Sequence, residues 1–112
     1  MSCLFCRIIA GELPATIVYR DDDVIAFRDV NPQAPTHILV IPKRHIASIA
    51  DTQDGDAELL GRLITVAKQI AQTEKLSAGY RLVVNTGTQA GQSVFHLHVH
   101  LLGGRAMHWP PG

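Results

Sequence analysis

The spacing of apolar residues switches repeatedly between a helical and a strand period, and each switch marks an element boundary. Leu4, Phe5, Ile8 and Ile9 fall at helical spacing before Gly11, which predicts a short amphipathic helix over residues 3–10. The β-rich runs Thr16–Arg20 and Val24–Asp29 flank Asp21-Asp22-Asp23 and predict a hairpin with a solvated acidic turn. Asn31-Pro32-Gln33-Ala34-Pro35 is a stiff loop, because its two prolines fix φ and supply no ladder donor. His37–Pro42 is almost wholly apolar, which predicts a strand buried on both faces. From Asp56 to about Glu74, Leu59, Leu60, Leu63, Ile64, Ala67, Ile70 and Ala71 make one helical stripe, with Asp54 or Asp56 available as N-cap. The stripe is wide enough for part of it to face a second subunit. Tyr80–Asn85 and Phe95–Leu102 read as the last two strands. Five strands grouped around one long and one short helix predict an α+β fold with a mainly antiparallel sheet. The tail His108-Trp109-Pro110-Pro111-Gly112 can continue neither a helix nor a central strand, and its Trp109 suits docking against a surface or a partner.

Length and composition narrow the class. The chain has 112 residues, enough for one domain with a genuine core over residues 1–112 and too few for two. Ten basic residues balance ten acidic ones, so bulk charge predicts neither a nucleic-acid polymer nor a membrane surface as partner. A small anion remains compatible, since local donors bind phosphate without net charge. No apolar segment approaches membrane-spanning length and no basic stretch leads into an apolar run, so a cytoplasmic location is expected.

The chemistry concentrates in His96-Leu97-His98-Val99-His100, which holds three of the six histidines at alternate positions. Strand alternation sends the histidines to one face and the aliphatic residues to the other. Successive histidines would lie about 6.6 Å apart and the outer two about 13 Å, too far to share one ion with bonds of about 2.0–2.1 Å. A phosphoryl group suits the row better, with His98 as nucleophile and its neighbours contacting oxygens or a leaving group. Ser93, Gln92 and the flexible Gly91 just upstream offer a hydroxyl, an amide and close backbone approach to the same anion, and Asn85 at the end of the preceding strand adds a donor.

Cys3 and Cys6 form a Cys-x-x-Cys pair with two residues before it, poor context for a thioredoxin-like motif. Half of a metal site and two buried small apolar residues are the readings left.

His96-Leu97-His98-Val99-His100-Leu101-Leu102 resembles the His-Φ-His-Φ-His-Φ-Φ signature of the histidine-triad (HIT) superfamily. The similarity spans nearly the whole chain. Phe5-Cys6-Arg7-Ile8-Ile9, Glu12-Leu13-Pro14-Ala15, Asn31 through His37, Val40 through Ile46, Val83-Val84-Asn85, Gly91-Gln92-Ser93 and the ending Gly103-Gly104-Arg105 through Gly112 resemble its Hint branch. The resemblance implies a homodimer with joined sheets, the long helix and C-terminal region at the interface. It also implies hydrolysis of purine nucleoside 5′-phosphoramidates. His98 would attack the α-phosphorus and form a nucleotidyl-histidine, with no cofactor required for catalysis. His100 and Ser93 would contact the phosphate and leaving group, and His37 would support His98 through a hydrogen-bond relay. Asn85 would bind near the phosphate, Asp29 would accept from the ribose, Phe5, Ile8, Phe27 and Val30 would line the base pocket, and Gln92 and Trp109 would also contact the substrate. Ala90, where related sequences often carry Gly, is a departure near the site. Some bacterial relatives pair such cysteines with two histidines around a structural zinc, which would here be Cys3, Cys6, His45 and His96; metal-free thiols are the alternative. Two other functions stand beside the leading one: a dinucleoside polyphosphate hydrolase, and a nucleotide-binding interaction module with vestigial activity.

Overall fold

A computed structural model describes residues 3–112. The elements run α1 (Leu4–Ile9), β1 (Ile17–Arg20), β2 (Val24–Arg28), β3 (Thr36–Pro42), α2 (Ala57–Thr73), β4 (Tyr80–Val83) and β5 (Val99–Gly103), with three short 3₁₀ turns between them. The five strands form one sheet in the order β1-β2-β3-β5-β4, with every neighbouring pair antiparallel.

The middle of the sheet is covered on both faces, which is why β2 and β3 carry unbroken apolar runs. On one face Val24, Ala26, Ile38, Val40, Val99 and Leu101 meet Leu63, Val66, Ala67, Ile70 and Ala71 of α2. On the other, Ile25, Phe27, Leu39 and Ile41 meet Phe5 and Ile8 of α1. Period-two alternation therefore assigns each strand residue to one helix or the other.

Four details differ from the sequence expectation. The strand carrying the histidines starts at Val99, so His96 and His98 precede the ladder. β4 ends at Val83 and leaves Asn85 in the following loop. Ile64 of the apolar stripe is 45% exposed. Asp56 makes no side-chain cap on α2; its carboxylate instead accepts the Gln53 N–H and pairs with Arg44.

The turn after β1 is also less free than three carboxylates in solvent. Asp21 accepts from the N–H groups of Asp23 and Val24 (both 2.8 Å), from the Tyr19 hydroxyl and from Arg62 of α2. Against the cost of burial, these bonds hold its carboxyl well below the usual carboxylate range. Asp21 thus ties the β1–β2 hairpin to the long helix. Among the described residues, no helix is long and apolar enough to cross a membrane.

Candidate active site

The covering of the sheet by α1 is incomplete, and a cavity of about 700 Å³ opens beside it, within the range of small-molecule sites. Its walls bring together Phe5 and Ile8 of α1, Phe27 of β2, Leu39 of β3, Asp29 and Val30 after β2, His37, Gly91, Ser93, His98 and His100. Sequence positions from both ends of the chain meet here because β3 lies between β2 and β5. Leu39 and Phe27 are direct cross-strand partners, as are Leu39 and His100, so one row crosses from apolar wall to imidazole.

The alternation of the triad persists beyond the strand. Leu97, Val99 and Leu101 enter the core against α2, while His98 and His100 point to the cavity with ring centroids 4.9 Å apart. His98 is buried, with Phe5 edge-on to it at 5.2 Å.

Hydrogen-bond partners assign the protons of these rings. His98 Nδ1–H donates to the His96 carbonyl at 2.7 Å, which leaves the Nε2 lone pair for the cavity. Gln33 N–H donates to His37 Nδ1 at 3.0 Å, so the His37 proton sits on Nε2. That Nε2–H donates to His100 Nδ1 at 2.9 Å, and the remaining His100 proton is therefore on Nε2. Two neighbouring rings consequently offer opposite functions: a lone pair at His98 and an N–H at His100.

His37 supports His100 rather than His98, contrary to the sequence expectation. The β3–β5 register decides this, because His37 opposes Leu102 and lies diagonal to His100. Asp29 Oδ2 stands 3.5 Å from His37 Nε2, while Asp29 Oδ1 accepts the Asn31 N–H at 2.8 Å. Burial pushes the His37 imidazolium below its ordinary value, opposed by the Asp29 charge. Burial, reinforced by repulsion from His98 and His37, pushes His100 down to about 4. Both shifts favour the neutral rings.

Other anticipated residues fall elsewhere. The Gln92 side chain is buried and spent within the loop, accepting from Gly87 N–H and donating to the carbonyls of Ala47 and Val94. It holds the Gly87–Val94 turn and offers no free amide. Asn85 lies outside the cavity lining, as does Trp109, which is 82% exposed. Val30 is on the rim at 96% exposure and presents an edge rather than a wall. Sequence reasoning missed Leu39 and the Gln33 backbone. Alternation in phase with His37 could have found Leu39; nothing in the residue type of Gln33 marks its N–H.

Behind the cavity, Cys3, Cys6, His45 and His96 converge, with their candidate ligand atoms all within 4.8 Å of one another. His96 Nδ1 lies 3.4 Å from Cys3 Sγ, 3.5 Å from Cys6 Sγ and 3.2 Å from His45 Nδ1, and Cys6 Sγ lies 3.3 Å from His45 Nδ1. A tetrahedral zinc with bonds of about 2.0–2.1 Å to nitrogen and 2.3 Å to sulfur would space its ligands about 3.3–3.8 Å apart. The four observed edges, 3.2–3.5 Å, lie at the lower end of that range, the His45–His96 edge just below it. The fully buried His96 ring donates Nε2–H to the Pro42 carbonyl at 2.7 Å, so its Nδ1 lone pair faces the cluster. Burial and the adjoining Cys3 thiol raise the Cys6 thiol, an effect a bound cation would reverse.

Comparison with known proteins agrees with this architecture. The HIT domain family matches residues 10–107. A maize protein named as a 14 kDa zinc-binding protein is 54% identical over 111 residues, covering 97% of this chain and 87% of the relative. The crystal structure of a HIT family hydrolase from Legionella pneumophila superposes with a TM-score of 0.97 at 57% identity, covering 99% of this chain and all of that one. A histidine triad nucleotide-binding protein from Candida albicans gives a TM-score of 0.83 at 33% identity, over 97% of this chain and 83% of that one. The chain belongs to the HIT family.

Proposed function

We propose that this protein hydrolyses purine nucleoside 5′-phosphoramidates through a covalent nucleotidyl-His98 intermediate, as a member of the Hint branch. The observation that carries the reading is the pair of opposed tautomers in one cavity: a lone pair on His98 Nε2 beside an N–H on His100 Nε2. Phe5, Ile8, Phe27 and Leu39 make an apolar slot for a flat base, with Val30 at its edge. Asp29 keeps one carboxylate oxygen at the cavity for ribose hydroxyls, and Ser93 faces the phosphoryl end. The relatives named as a hydrolase and as a nucleotide-binding protein point the same way.

In the first step His98 Nε2 forms the N–P bond while the P–N bond to the amine breaks. The departing nitrogen needs one proton, which His100 Nε2 supplies. His100 must then carry a second proton, on Nδ1, which requires His37 to move its own proton from Nε2 to Nδ1 and turn an Nε2 lone pair to His100. The phosphate anion beside His100 and Asp29 behind it favour that charged form against burial. The second proton is thus taken up with the substrate. In the second step His100, now neutral, accepts a proton from the attacking water, and the bond between His98 and phosphorus breaks.

Zinc at Cys3, Cys6, His45 and His96 belongs to the same proposal: all four positions are protein ligands, so the ion would staple α1 to the sheet and leave catalysis to the side chains. A homodimer is proposed on the open edge of β4 with exposed Tyr80, Ile64 and Trp109, and a cytoplasmic location on the free thiols.

The test is a panel of AMP-amides and dinucleoside polyphosphates on wild type and His98→Ala. The proposal expects cleavage of the amides, and loss of activity together with the acid-labile nucleotidyl adduct in His98→Ala. Near-normal amide turnover by that variant would sink the mechanism, and preference for the polyphosphates would replace the substrate class.

A further inference from the structure

The peptide that joins His96 to Leu97 touches both the catalytic cavity and the cysteine–histidine cluster behind it. Its carbonyl accepts the His98 Nδ1–H at 2.7 Å, the bond that leaves the Nε2 lone pair for the cavity. Its N–H, on Leu97, donates to the Ile46 carbonyl at 2.7 Å, and Ile46 follows His45 of the cluster. The His96 ring enters the same cluster through Nδ1, while its Nε2–H is tied to the Pro42 carbonyl. His96 is fully buried, so ring and peptide move only together.

A second line of contact reaches His98 from α1. Phe5 lies between Cys3 and Cys6 in sequence and packs edge-on against His98 at 5.2 Å and against His96 at 6.0 Å. With six residues, α1 is too short to hold its own shape. Its place rests on Phe5 and Ile8 packed against the sheet and on the two cysteines of its first turn. Thiol hydrogen bonds are weak, whereas a closed cysteine–histidine shell around a divalent cation contributes folding energy outright. The cluster thus bears on the nucleophile twice, once through a peptide and once through a ring.

We propose that cation occupancy of the Cys3, Cys6, His45 and His96 cluster controls the alignment of His98, with Phe5 and the His96 peptide as positioning groups. With the four ligands closed, residues 45–46 are held against 96–97, and Phe5 is held against the His98 ring. With them open, the His96 carbonyl and the Phe5 edge are released together, and His98 loses the partner that fixes its Nδ1–H. Its Nε2 then no longer meets phosphorus squarely. Attack slows while the sheet and α2 stay folded, so metal supply acts on the chemical step from a site with no open coordination position.

This inference rests on the proposed roles of His98 and of the cluster, so its test separates them. Full-length protein is loaded with zinc, stripped with a chelator and reloaded, with metal content measured each time. The ¹H resonance of His98 Nδ1–H, identified by its absence in His98→Ala, reports the bond to the His96 carbonyl without substrate. Amide hydrogen exchange in β3 and α2 reports the fold, and rapid quench follows formation of the nucleotidyl adduct from an AMP-amide. Stripping should broaden or abolish the His98 signal, leave β3 and α2 protected, and slow adduct formation about tenfold. Reloading should restore both in wild type, and Cys6→Ser should behave as stripped protein at the same zinc concentration. An unchanged His98 signal in zinc-free protein would overturn the proposal, as would an adduct that forms equally fast. Loss of protection in β3 and α2 on stripping would reduce the cluster to a structural role, and a wild type that takes up no zinc would remove it. If neither form makes the adduct, the functional reading fails, and the His98 signal still decides the coupling.

Discussion

Lowering the pH should destabilise the free protein through His100, and the sign follows from its burial. The ring is held near 4 in the folded state, against an ordinary value of about 6.5 in the unfolded chain. Between these values the unfolded chain binds a proton that the folded chain refuses, so stability falls as the pH falls. Each pH unit in that window costs about 1.4 kcal/mol for one such group, giving a ceiling of about 3 kcal/mol. Solvent reaches part of the ring, so about half of that is expected. His37, also held low by burial, adds in the same direction. Urea denaturation of wild type and His100→Gln at pH 7 and pH 4.5 isolates the contribution. The wild type should lose about 1–2 kcal/mol more than the variant over this interval. Equal losses, or a wild type that gains stability on acidification, would refute the assignment of a buried neutral His100.

Three further outcomes follow. AMP should bind with uptake of a fraction of a proton near pH 7, read by calorimetry in two buffers of different ionisation enthalpy; identical heats after buffer correction would remove the second proton from the mechanism. Cys6→Ser should lower both zinc content by elemental analysis and the Tm of protein purified without a His-tag, whereas a wild type without zinc would dismiss the site. Leu63→Ala, which empties a buried position between α2 and the sheet, should cost about 3 kcal/mol in denaturant titration, and a loss under 1 kcal/mol would contradict the packing.

The elements were legible because their apolar residues follow one period at a time. β3 announced its double burial by continuous hydrophobicity, and α1 and α2 by their stripes. The division of labour among the histidines was less legible, because it depends on register. Diagonal placement across β3 and β5 gives His37 to His100, and residue types alone do not reveal a diagonal. His98 lies outside the ladder, so its proton is assigned by a carbonyl two residues back rather than by strand geometry. Gln92 was misread for a related reason: its amide looks available in sequence, yet its nitrogen donates to the Ala47 and Val94 carbonyls and its oxygen accepts the Gly87 N–H. The Gln33 N–H bond to His37 and the Arg105 side-chain bonds to the Gln33 carbonyl, the latter across 72 residues, left no mark in composition or spacing.

The central claim is that phosphorus passes through His98 on its way to water. The stereochemical course of hydrolysis of a chiral nucleoside phosphoramidothioate in ¹⁸O-water tests this most directly, because each in-line displacement inverts the phosphorus centre. Two displacements predict net retention of configuration. Net inversion would mean that water attacks the substrate itself, and His98 would not be the nucleophile.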